Sequence, residues 1–182
     1  MRIMSGPALA TAVSRAGGLG FIGPSAKTQD MAADLAEASA IFQKAPVSST
    51  LLKTYTLLPV GVGFQLWSDD IDIAVAAIEK FKPCATWLYA PRQAEDFDDW
   101  SRRIRGASPE TQIWIQIGTL KEAKALLTSS NRPDVVVVQG AESGGHGRAN
   151  DGLGLMVLFP EIAESMSSSG IPLIAAGGIA DG

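Results

Sequence analysis

Short apolar runs alternate along the chain with stretches whose apolar residues recur at helical spacing. Pro7 stands where a helix can begin and Gly17 where it can end, with Leu9, Val13 and Ala16 on one face between them. Residues 19–22 read as a short strand. Met31, Leu35, Ala38 and Phe42 follow at helical spacing, and residues 60–64 (VGVGF) read as a second strand. Ile71, Val75 and Ile78 line the next helix, and residues 85–89 the next strand. Phe97, Trp100 and Ile104 mark a helix with acids in its first half and arginines in its last turn, the order that complements the helix dipole. Residues 112–117 (QIWIQI) form a strong strand pattern. Thr119 and Glu122 then have capping-box spacing, opening a helix with Leu120, Ala123 and Leu127 inward. Residues 135–138 are four valines, a strand buried on both faces. Pro160 is expected to start a helix carrying Ile162 and Met166, and residues 171–176 (IPLIAA) make the last strand.

Six strands with continuous apolar character, alternating with helices, predict an α/β fold with a parallel sheet covered by helices. Residues 1–4 add a partial strand. Two architectures fit this pattern: an open doubly wound sheet and a (β/α)8 barrel, which typically needs about 250 residues. No linker, low-complexity tract or further repeat divides residues 1–182, so one domain is expected.

Composition narrows the function. The chain has 182 residues, 46% hydrophobic and 19% charged, enough to bury a sizeable core. Its net charge is −4 with no run of like charges, which argues against nucleic acid as a partner. A lone cysteine, Cys84, excludes an internal disulfide and a multi-cysteine metal site. The sequence has no run long enough to span a bilayer and no signal pattern, so a soluble, cytoplasmic protein is expected.

Gly18, Gly20 and Gly23 match the G-x-G-x-x-G dinucleotide fingerprint, but that motif must follow a strand and open a helix. Here a helical pattern precedes it and Pro24 follows, so the glycines read as a helix end and strand start. The informative stretch is 139–146 (QGAESGGH), at the exit of the most apolar strand, where parallel α/β folds carry their active sites. Gly144 and Gly145 let a flat ring or a phosphate approach the backbone. Gln139 offers an amide donor and acceptor to a heterocycle. His146 is the only histidine, and an unperturbed imidazole, with a pKa of ~6.5, suits proton abstraction near neutrality; the plainer reading is a surface-loop histidine. Glu142 and Asp151 near it make only a weak metal set, and no metal is expected. Gly177 and Gly178 follow the last strand as a glycine turn whose N–H groups suit an anion such as phosphate. Trp100 and Trp114 are expected in the core. Trp67 is expected there too, although it could wall a pocket. Cys84 is expected to be inert.

These segments have a common likeness. AGGLGFIG (16–23), VGVGF, VVVVQGAESGGHGR (135–148) and PLIAAGGIADG resemble, in order, the nitronate monooxygenases, formerly called 2-nitropropane dioxygenases. The resemblance implies a TIM-type barrel, FMN held without a covalent bond, and oxidation of nitronates or nitroalkanes by molecular oxygen. It assigns His146 as catalytic base, Gln139, Gly144 and Gly145 as flavin contacts, and Gly177 and Gly178 to the FMN phosphate. Against the family pattern the first strand is partial and the eighth strand absent, so an incomplete barrel with about strands 2–7 is expected. Bacterial members carry Asn where this chain has Gly63. The implied partners are the small substrate and oxygen, with a homo-oligomer left open. Two alternatives stand beside this: another FMN barrel such as an enoyl reductase, and a non-catalytic truncated copy.

Overall fold

The computed structural model describes residues 4–45, 56–145, 152–177 and 179. Helix α1 (Pro7–Arg15) leads into β1 (Phe21–Ile22), then α2 (Met31–Lys44) and β2 (Leu58–Gln65). The alternation continues through α3 (Ile71–Phe81), β3 (Pro83–Tyr89), α4 (Glu95–Ala107), β4 (Gln112–Ile117), α5 (Leu120–Thr128), β5 (Val135–Gln139), α6 (Leu155–Met166) and β6 (Leu173–Ala176). All six expected strands form. The partial strand expected at residues 1–4 falls largely outside the described residues.

The strands are parallel and lie in the order β1-β2-β3-β4-β5-β6. A doubly wound sheet reverses its strand order at a switch point, and this sheet does not. Each crossover advances one strand in the same sense. Right-handed crossovers therefore place every helix on one side. That is barrel order, and the sheet is curled accordingly. The Phe21 ring of β1 lies 5.1 Å from Trp114 of β4. A flat sheet would hold strands three apart at roughly 14 Å, given a spacing of ~4.8 Å. The structure is an incomplete TIM-type barrel, six strands curled with their concave face inward.

Residue parity separates the two faces. Ile22, Val62, Phe64, Leu88, Ile115, Val136 and Val138 point outward and form one apolar core with the helices, none more than 1% exposed. Phe21, Trp87 and Trp114 meet on the concave face, where Phe21 and Trp87 pack edge to face at 5.2 Å. Gly61 pairs in register with Phe21, and a Cβ there would stand 2.7 Å from the Phe21 Cζ and closer still to two other ring atoms. Gly61 is thus a space-making residue, with no positive φ to explain it.

Local signals read from sequence are met in several places. Thr119 accepts from the Glu122 N–H at 3.2 Å, and the Glu122 carboxylate accepts from the Gly118 N–H at 2.9 Å, which opens α5 as the spacing predicts. Asp70 caps α3 by accepting from the N–H groups of Asp72 and Ile73. The G-x-G-x-x-G glycines do follow a helix and enter a strand. Gly20 packs against the α1 backbone, where a Cβ would lie 2.7 Å from Ala10 Cα.

Three expectations need correction. Pro160 does not start a helix; it lies inside α6, whose first residue is Leu155. Pro160 is exposed, and the start of α6 is fixed instead by Glu142 from outside the helix. On α1, Leu9 and Val13 are exposed at 54% and 39%, while Pro7, Ala10, Thr11 and Ser14 face inward. The small residues take that face because α1 lies against the Gly20 backbone at Ala10, where a larger side chain has no room. Trp67 is 56% exposed beyond the end of β2, so it is no part of the core, and it walls a shallow surface hollow with Asp70 and Arg92.

Candidate active site at the carboxyl ends of the strands

The exits of β5 and β6 come together. Gln139 pairs in register with Ala176, so the two loops read from sequence leave the sheet side by side. The Gln139 Nε2 donates to the Ser143 Oγ at 2.6 Å. Gly177 has φ +103°, a left-handed conformation that favours glycine, and a Cβ there would stand 2.5 Å from the Ser143 Cβ. The turn after β6 therefore closes onto the loop after β5 only because residue 177 lacks a side chain.

The β5 loop is anchored at its base. The Ala141 N–H donates to the Leu153 carbonyl at 2.9 Å, and the Leu155 N–H donates to the Glu142 carboxylate at 2.8 Å. Glu142 thereby supplies the N-terminal acceptor that Gly154, the residue before α6, has no side chain to offer. Its charge also suits the positive end of the helix. The described residues contain no cluster of three potential metal ligands. Gly140 leaves room for this clamp, since a Cβ would stand 2.5 Å from the Leu155 nitrogen.

Beyond the clamp the backbone opens. A Cβ on Gly144 or Gly145 would meet no atom within 4 Å, and Gly145 has φ +87°. Gly144 and Gly145 thus line free space beside Gln139. His146, Asp151 and Gly178 lie outside the described residues.

The concave face supplies a floor that was not anticipated. Trp114, expected in the core, is half-buried and packs with Phe21 and Trp87 inside the curl. Two residues further along β4, Gln116 accepts from the Trp87 indole N–H through Oε1 at 2.9 Å. The strict alternation of QIWIQI places Trp114 and Gln116 on one face, and that signal was available in the sequence. What it could not say was which face turned inward.

Cys84 sits in β3, with its thiol donating to the Val60 carbonyl at 3.4 Å. Burial pushes its pKa up to about 11, so the thiol stays protonated and unreactive near neutrality. None of the helices among the described residues is long and apolar enough to cross a membrane.

The donor set fits a flavin. It combines an aromatic floor, amides at the strand exits and two side-chain-free turns for a phosphate or ring edge.

Residues 104–182 match the family model of nitronate monooxygenase. Over its whole length the chain is 50% identical to the nitronate monooxygenase npaC of Metarhizium robertsii, of which it covers 51%. It is 29% identical, over 98% of its length, to a hydroxy-methyl-oxo-octahydroindene carboxyl-CoA dehydrogenase of Mycobacterium tuberculosis, covering 44% of that protein. Among solved structures, the M276A mutant of FabK from Thermotoga maritima superimposes with a TM-score of 0.70 at 28% identity, over 98% of this chain and 51% of that one. The chain thus spans about half the length of the relatives it matches. With the ordered motifs, these comparisons make the chain similar to the nitronate monooxygenases along its whole length.

Proposed function

We propose that the protein acts in the FMN-dependent oxidation of alkyl nitronates or nitroalkanes by molecular oxygen. The observation that carries this reading is the meeting of the β5 and β6 exits through Gln139, Ser143 and Gly177, beside open backbone at Gly144 and Gly145. When bound, FMN supplies the one-electron and oxygen chemistry. The protein binds, orients and moves one proton. Gln139, Gly144 and Gly145 contact the ring, and the N–H groups at Gly177 and Gly178 take the phosphate. His146 removes the proton on the carbon next to the nitro group, a task suited to an imidazole titrating near ~6.5. FMN, the small substrate and oxygen are the partners this reading requires.

The test is direct. The purified protein should show a flavin absorbance band and take up oxygen with nitronates. A full-length protein with neither property would overturn the reading. His146→Asn should suppress turnover of nitroalkanes while sparing preformed nitronates, which need no deprotonation. Equal loss on both would contradict the base role.

The likeness to a carboxyl-CoA dehydrogenase favours a second reading, a flavin barrel acting on acyl thioesters, such as an enoyl reductase. NAD(P)H oxidation with an enoyl thioester, and no oxygen uptake with nitronates, would select it.

A further inference from the structure

We propose that Gln116 is a ligand-recognising residue that donates from its Nε2 to a carbonyl oxygen of the flavin ring, with Trp87 setting the sense of its amide. The inference rests on the flavin reading above and adds a residue to it.

An amide side chain can present either end to a ligand, and ordinarily nothing in its shape decides which. Here chemistry decides. The Trp87 indole nitrogen is a donor only. Its partner on Gln116, 2.9 Å away, must therefore be the amide oxygen. The NH2 end is left for something else. Among the described residues none accepts from it. It is not a buried orphan either, because the one buried side-chain polar atom without a partner among the described residues is the Ser101 hydroxyl. The Gln116 NH2 is thus an accessible donor held in one direction.

Its position suits a ring. Gln116 lies on the concave face, two residues beyond Trp114 toward the carboxyl end of β4, above the Phe21–Trp87–Trp114 floor. It pairs in register with Val137, so Gln139 stands on the neighbouring strand, two residues higher. Ladder spacings put the two backbones about 8 Å apart. Gln139 is tethered in its turn by the Ser143 hydroxyl, 2.6 Å from one end of its amide, and the other end stays open to a ligand. The mouth of the curl thus offers one fixed donor, on Gln116, and beside it the Gln139 amide, which can turn its oxygen to accept, over an aromatic surface. The pyrimidine edge of an isoalloxazine, two carbonyl oxygens flanking an N–H, is complementary to that pair.

The experiment measures dissociation constants of the parent chain for FMN and for riboflavin, by flavin fluorescence and by the visible band. Gln116→Met keeps length and removes the donor. Trp87→Phe keeps a ring in the floor and releases the amide. Gln116→Met should weaken both flavins by roughly 2- to 12-fold, the range for one neutral hydrogen bond, and shift the visible band. The loss should be equal for FMN and riboflavin, because the contact is to the ring. Trp87→Phe should weaken binding in the parent and have no further effect in the Gln116→Met background, the non-additivity expected of residues acting through one contact. Circular dichroism and the melting temperature report whether each variant folds. Unchanged affinity in a folded Gln116→Met variant would overturn the proposal, as would additive effects or a loss confined to FMN. A parent chain that binds neither flavin would overturn the flavin reading and this inference together.

Discussion

Gly61→Ala should destabilise the protein although it replaces a strand glycine with a residue of ordinary backbone preference. At a site with room, Gly→Ala gains about 0.4–1 kcal/mol by restricting the unfolded chain. Gly61 has no such room. The added Cβ would stand 2.7 Å from the Phe21 Cζ and nearer to two other ring atoms, and real Cβ contacts essentially never fall under 3.0 Å. The ring cannot swing away freely, because Trp87 and Trp114 hold it at 5.2 and 5.1 Å. Overpacking of this kind costs about 1–3 kcal/mol. The net loss should be about 1–2 kcal/mol, which for a chain of this size lowers the melting temperature by roughly 2–8 °C. Gly63 is the internal control. It lies on the same strand and face, but its nearest obstacle is the Pro24 Cδ at 3.3 Å, so Gly63→Ala should be near neutral. In a Phe21→Leu background the cost of Gly61→Ala should shrink by about 0.5 kcal/mol or more. Thermal melts of the four variants decide it. A Gly61→Ala protein as stable as the parent, or additivity with Phe21→Leu, would refute both the space-making role of Gly61 and the curled geometry behind it.

Two further outcomes follow from the site. Glu142→Ala should cost about 1 kcal/mol by removing the acceptor that starts α6, while Glu142→Gln keeps most of the stability. Amide exchange at Leu155 should accelerate in the alanine variant alone, and unchanged exchange would show that Glu142 is no cap. Cys84 should alkylate slowly at pH 8 in the native protein and fast after unfolding. Its folded pKa of about 11 exceeds the ordinary 9.0, so its contribution to stability is full below pH 9 and is lost as pH rises toward 11. Melts across that window should lose part of their pH slope in Cys84→Ala; an unaltered slope would contradict the shift.

The sequence by itself determined the elements and the position of the loops at the strand exits. Burial on both faces forces a β-branched run such as residues 135–138 into a central parallel strand, and Thr119 with Glu122 opens a helix through local hydrogen bonds alone. The place of Gln139, Gly144, Gly145 and Gly177 at the strand exits was legible too, since the length of the apolar runs sets where the strands end. Periodicity could not choose between an open and a curled sheet, because both bury the same outward face against helices. Strand order and the Phe21–Trp114 contact decided that. Nor could it choose the inner face of α1, where close approach to Gly20 prevails over hydrophobicity, or place Pro160 within α6, whose start is set by Glu142 a dozen residues upstream. The aromatic floor and the orientation of Gln116 belong to the tertiary structure as well. They depend on side chains from strands remote in sequence, and only the curl of the sheet brings those together.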